Sequence, residues 1–284
     1  MAKMGYLTGK RLLLTNDDGL LDGGSPKPGI LTLYNLAKEF TDDITVVGSL
    51  RNNSAMGFAV SIGQEQQLYE YKLPGLERWF CVPDGYALCP LILGLDHIYE
   101  GRQEPDVVIS GINPGPNLTE RNLLHFSGTV AAALQAVSQG QRTRGIAISA
   151  GFSAPKPKEI DWGVAQSEAL EILKNVDTMG VWHEKDVLNV NVQTINPELI
   201  SDTHLVSPAT RRTVVKMTDL VESHADGSKT VKINPDIRAS VVAGTDAHAF
   251  HKLRANTISA FRVSTESTIA DPWVGHFARE QRRR

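Results

Sequence analysis

Leu12-Leu13-Leu14-Thr15 runs straight into Asn16-Asp17-Asp18-Gly19, and that junction constrains the chain more than any other stretch. A short apolar run bounded by turn-forming residues reads as a strand buried in a parallel sheet. Asn, Asp and Gly mark the loop beyond it. In open α/β sheets, ligands sit just past the carboxyl ends of the strands. Asp17 and Asp18 therefore fall where chemistry is expected. Adjacent carboxylates repel unless a proton or a cation intervenes. On these residues alone, a solvated Asp-Asp-Gly turn and a hard divalent-cation site both remain open.

The residues that follow build the rest of the frame. Leu20 to Pro28 is a loop, and Pro28 suits the first turn of a helix. Ile30, Leu33, Tyr34, Ala37 and Phe40 give that helix one apolar face, and Ile44-Thr45-Val46-Val47 is the next strand. This is a βαβ unit, with parallel strands and a right-handed crossover. Short antiparallel strands are expected within Val60 to Phe80, beside the main sheet, and a helix over Leu88 to Ile98. Asp106 to Ser110 is another strand, closed by the turn cluster Gly111 to Asn117. Ser127-Gly128-Thr129 opens an alanine-rich helix, with Ser127 or Gly128 as its N-cap. Strands follow at Gly145 to Ser149 and Val187 to Val192, separated by a helix capped by Asp161. Asp202 to Ile237 reads as an extended hairpin turning at Ala225-Asp226-Gly227. A helical turn at Asp246 to Phe250 and a strand at Thr257 to Val263 complete the pattern. The fold class is α/β: a Rossmann-like, mostly parallel sheet flanked by helices. Residues 1–150 form the core, and residues 151–284 complete it and add an arm.

Composition narrows the function classes. A formal charge of −3 points to neither bulk nucleic-acid nor membrane binding. Cys81 and Cys89, the two cysteines, form neither a disulfide framework nor a zinc motif, which suits a reducing cytoplasm. No leader-like or bilayer-length apolar segment is present, so the Asn117-Leu118-Thr119 sequon reads as coincidence.

Three loops should meet at one edge of the sheet. Asp17 and Asp18 follow the first strand, Ser54 the second, and Asn113 the strand ending at Ser110. Their carboxylate, hydroxyl and amide oxygens suit magnesium or manganese, with calcium as an alternative, rather than zinc or copper. Ser127-Gly128-Thr129 adds a helix N-terminus, where free N–H groups attract an anion. A hard metal beside an anion pocket is equipment for metal-assisted phosphate chemistry. His125, beside that turn, reads as a loop-surface histidine rather than a phosphate donor.

Two acidic-pair designs fit poorly. A receiver domain needs an Asp where this chain has Ser110 and Asn113, and a haloacid-dehalogenase phosphatase needs Asp-x-Asp. Four ordered motifs instead resemble the SurE family of metal-dependent nucleoside-monophosphate phosphatases. They are Leu13 to Gly19, Arg51-Asn52-Asn53-Ser54, Ser110 to Asn117, and Ser127 to Ala133. The resemblance implies one divalent metal per subunit, held by Asp17, Asp18, Ser54 and Asn113, with Asn117, Ser127, Gly128 and Thr129 lining the phosphate pocket. It makes Asp17 the catalytic residue, either attacking or orienting water, and nucleoside monophosphates the substrate. It also implies a homodimer or homotetramer built with a C-terminal arm, near landmarks at Leu188 to Val192 and Gly244 to Ala247. The chain departs from the family's pattern at the long segments Leu20 to Lys27 and Thr119 to His125, and at Cys81 to Ala87, where Gly85 or Asp84 stands for a usual aspartate. That last departure keeps a second reading alive, a metal-dependent nucleotide-binding or sensing module with little turnover.

Overall fold

The computed structural model describes residues 5–99, 103–118, 126–140, 142–151, 159–176, 182, 185–205, 214–223, 229–237 and 246–262. Strand β1 (Leu12–Thr15) is buried throughout. A small hairpin of β2 (Leu21–Asp22) and β3 (Ser25–Pro26) follows it within the predicted loop. Next come α1 (Pro28–Lys38), β4 (Ile44–Ser49), β5 (Tyr69–Glu70) and β6 (Trp79–Val82). Helix α2 (Cys89–Leu93) continues as a π-helical turn over Gly94–Ile98, so the predicted single helix changes its winding halfway. The chain then forms β7 (Val107–Pro114), α3 (Gly128–Gln139), β8 (Arg144–Gly151), α4 (Trp162–Asn175) and β9 (Asp186–Gln193). It ends with β10 (Ser201–Leu205), β11 (Val214–Ser223), β12 (Lys229–Ile237), α5 (Asp246–Lys252) and β13 (Ala255–Arg262).

Nine strands make one sheet in the order β10-β13-β9-β8-β7-β1-β4-β6-β5. The pairs from β6 through β9 are all parallel. The antiparallel pairs lie towards the edges, β5 on β6 and β13 on β9. Side chains alternate across the sheet. Leu12 and Leu14 pack with Ile30 and Leu33 of α1 and Ala169 and Leu173 of α4. Leu13 faces the other way, against Leu91 of α2 and Ala131 and Ala136 of α3. That two-sided burial is why β1 is apolar at every position rather than alternating.

From β1 the chain crosses to β4 on one side, and β7 later takes the place on the other side. The strand order reverses there, and a crevice opens past the carboxyl ends of β1 and β7. The pattern predicts a strand ending at Ser110 and a turn from Gly111. The chain instead stays in the sheet to Pro114, with a register irregularity between Ser110 and Asn113. Gly111 makes this workable, since its φ of 132° suits glycine and a Cβ there would run into the Ile148 carbonyl. Strand β7 pairs with β1 only as far as Ser110, so Asn113 stands beyond the end of β1.

Among the described residues, strands β11 and β12 pair only with each other, in a separate two-stranded sheet. The predicted turn at Ala225-Asp226-Gly227 and His125 lie outside the described residues.

Candidate functional site

Asn16 shapes the loop after β1. Its Oδ1 accepts from the Asp18 N–H at 2.6 Å, and its Nδ2 donates to the Gly111 carbonyl at 3.3 Å. This Asx turn leaves both following carboxylates buried. The Asp17 carbonyl accepts the Asn53 N–H at 2.7 Å, joining the β1 and β4 loops. Asn53 is itself buried and donates to Ser49 Oγ at 2.8 Å and to the Gly85 carbonyl at 3.0 Å. Ser54 is thereby brought over the acidic pair, and its hydroxyl donates to Asp18 Oδ1 at 2.5 Å.

Asp17 Oδ1 accepts from Thr129 Oγ1, at 2.9 Å, in the first turn of α3. Ser127 caps that helix, its Oγ accepting the Val130 N–H at 3.1 Å. Gly128 lies so close to Asp17 that a Cβ would sit 2.8 Å from its Cγ. Asn113 Nδ2 donates to the Gly115 carbonyl at 2.5 Å, which leaves its side-chain oxygen for the crevice. Asn117 is held by β8 and β9. Its N–H donates to Asn191 Oδ1 at 2.7 Å, its carbonyl accepts from Asn189 Nδ2 at 2.8 Å, and its Nδ2 donates to Ser149 Oγ at 2.8 Å.

These loops enclose a cavity of about 400 Å³. Asp17, Asp18, Ser54, Asn113, Asn117, Ser127 and Thr129 all line it. Of the residues singled out in the sequence, only Gly128 stands behind the wall, against Asp17. Sequence reasoning missed the residues that hold this set in place: Asn16, Asn53, Asn189, Asn191 and Lys27, whose Nζ donates to the Asp18 carbonyl at 2.5 Å. Asn16 and Asn53 sit inside motifs already singled out, Asn189 and Asn191 inside the landmark Leu188 to Val192, and Lys27 at the end of the long loop. Their bracing roles carry no spacing signal, because their partners are mostly backbone groups set by the fold.

Burial, and then the neighbouring Asp18 charge, push the Asp17 carboxyl up to about 6. Burial also raises Asp18, against the Ser54 hydrogen bond and the Lys27 charge. Asp18 Oδ2 is buried with no hydrogen-bond partner. A buried carboxylate oxygen without a donor is costly unless a cation meets it. Two carboxylates with a serine and an amide oxygen are donors for a hard divalent ion. The described residues lining the cavity offer oxygen donors and no imidazole or thiol, a donor set for a hard ion.

The family model for survival protein SurE matches residues 12–216. The chain belongs to the SurE family. The 5′-nucleotidase SurE of Methylocella silvestris is 30% identical over 76% of this chain and 78% of the relative. That of Methylorubrum populi is 31% identical over 66% of this chain and 68% of its own length. The crystal structure of the SurE protein from Aquifex aeolicus superposes with a TM-score of 0.70 at 25% identity, covering 90% of this chain and 94% of that one. Around Gly85, where the SurE resemblance leads one to expect an aspartate, the structure shows how the segment meets the site. Asp84 pairs with Arg51 at the surface, and the Gly85 carbonyl supports Asn53. The segment acts on the Ser54 loop through a backbone group and lines none of the cavity.

Proposed function

We propose that this SurE chain is a metal-dependent hydrolase of phosphoric monoesters, acting on nucleoside monophosphates. The observation that carries the reading is the unpartnered, buried Asp18 Oδ2 in a cavity shared with Asp17, Ser54 and Asn113. Those four residues would hold one magnesium or manganese ion. Bound there, the ion supplies Lewis acidity toward a phosphoryl oxygen. The N-terminus of α3, with Ser127, Gly128 and Thr129, would receive the remaining phosphate oxygens at the positive end of the helix. Asn117 contributes a polar wall held rigid by β9. Asp17 is the catalytic carboxylate, as nucleophile or as the group that orients water. Thr129 holds its Oδ1 and so fixes its rotamer. The names of the curated relatives, 5′-nucleotidase SurE, support the same substrate class. The departure around Gly85 bears on a loop support and does not favour a module without turnover.

In this reading, residues 1–150 carry the site, and residues 151–284 finish the sheet and provide the arm of a homodimer or homotetramer. The separate β11–β12 sheet supports the arm, because a lone hairpin is marginal in water and gains stability by packing on a partner. Among the described residues no helix is long and apolar enough to cross a membrane, and both cysteines are free and buried. Free, buried thiols accord with a reducing setting such as the cytoplasm.

A chromogenic phosphomonoester, assayed with magnesium or manganese, tests the proposal. Turnover should vanish with chelator, return with metal, and fall by several orders of magnitude in Asp17→Asn. Turnover that survives chelation, or that Asp17→Asn retains, sinks it.

A further inference from the structure

The cavity is lined by residues of two chemical kinds. Some are polar, among them the acidic pair and the N-terminus of α3, and others are apolar: Pro114, Pro116, Leu118 and Phe126. Phe126 is the residue before the α3 cap, and it is 47% exposed. Its carbonyl accepts the Gly57 N–H at 3.2 Å, so the base of its side chain is tied to the loop after β4. Met56 and Phe58, on either side of Gly57, are exposed as well. A large aromatic ring with a fixed root and a wet face has apolar surface to bury against a flat ligand. Two prolines, a leucine and a phenylalanine have no side-chain donor or acceptor. The volume of about 400 Å³ lies in the range of pockets that take small-molecule ligands.

We propose that Phe126 is the stacking platform for the nucleobase, on which the base lies while the phosphate meets the acidic pair and α3. This rests on the phosphomonoesterase reading and adds to it the subsite that sets substrate preference. Such a wall offers a base its face and not its edge. Stacking tolerates any base, because every base has a π-face. The enzyme therefore grips purine and pyrimidine monophosphates alike and gains nothing from this wall for phosphomonoesters without a ring.

Steady-state kinetics of the metal-loaded full chain test this with adenosine monophosphate, uridine monophosphate and glycerol phosphate. Phe126→Ala should raise KM for both nucleotides on the order of tenfold, the scale of one lost stacking contact, with kcat little changed. Glycerol phosphate should be turned over as before. Phe126→Trp should keep the wild-type KM. In the wild type, kcat/KM for the two nucleotides should agree within about tenfold, the small end of pocket discrimination. A Phe126→Ala penalty equal for glycerol phosphate and the nucleotides, or no penalty for the nucleotides, overturns the platform alone. If the wild type turns over none of the three with metal, the phosphomonoesterase reading fails and the platform with it.

Discussion

At the scale of single residues, the site is a pair of charges that the fold forces together and then under-satisfies. Asp17 stands at about 6 in the folded chain against 3.8 as the ordinary value. An acid raised this way holds more protons folded than unfolded. Its contribution therefore favours the fold fully below about 3.8 and is lost as pH rises through about 6. Without metal, wild type should lose thermal stability across that window relative to Asp17→Asn, read as melting temperatures at several pH values. Manganese competes with the same proton, so the rise in melting temperature on adding it should grow with pH over the same interval. Gly128 gives a test with an inverted sign. Replacing a helical glycine by alanine ordinarily stabilises, by roughly 1 kcal/mol. Here the added Cβ would meet the Asp17 carboxylate. Gly128→Ala should keep its far-UV circular dichroism yet lose the manganese-induced shift in melting temperature.

At the scale of elements, the sequence reveals much of the frame and little of the bracing. The apolar run Leu12 to Leu14 marks a doubly buried strand because both of its faces are covered by helices, and residue type reports that burial directly. Asp161 announces its helix because it accepts a terminal N–H, and Pro28 announces its own because the first turn has no use for the N–H that proline lacks. The same local logic misreads Gly111-Ile112-Asn113-Pro114, where turn-forming residues lie inside a strand. Gly111 there answers to the neighbouring Ile148 carbonyl on β8, and a contact between strands leaves no local pattern. The direction of β13 and the grip of β9 on Asn117 are hidden for the same reason. That grip can be measured. Asn191→Leu removes the acceptor for the Asn117 N–H. It should lower kcat/KM by about tenfold or more, as loss of supporting residues does, while Asn191→Asp, which keeps an oxygen there, stays closer to wild type. The manganese-induced shift should persist in both, since the hydrogen bonds of Asn191 go to Asn117 and not to the four proposed metal residues.

At the scale of the whole molecule, the position of the cavity follows from the strand order. A sheet that winds outward both ways from β1 and β7 has one crevice at the reversal, and every site residue named from the sequence except Gly128 lines it, from a loop, a helix end or the last residues of β7. Strands β11 and β12 form a sheet separate from that one, and on the proposed reading they serve assembly. Replacing Val214–Ile237 with a short Gly-Ser linker should shift the protein to a smaller assembly in light scattering while manganese still raises its melting temperature. An unchanged mass would argue against the arm. The clamp on Asn117 also has a consequence in time. Asn117 and Asn189 are 72 positions apart, and all four proposed metal ligands precede both. A ribosome has thus made the carboxylates, the serine and the amide long before it makes the strand that steadies the pocket wall. A chain released early carries the ligands with that wall unbraced, so abandoned translation products are poor hydrolases, and full activity is reserved for chains that have at least reached β9.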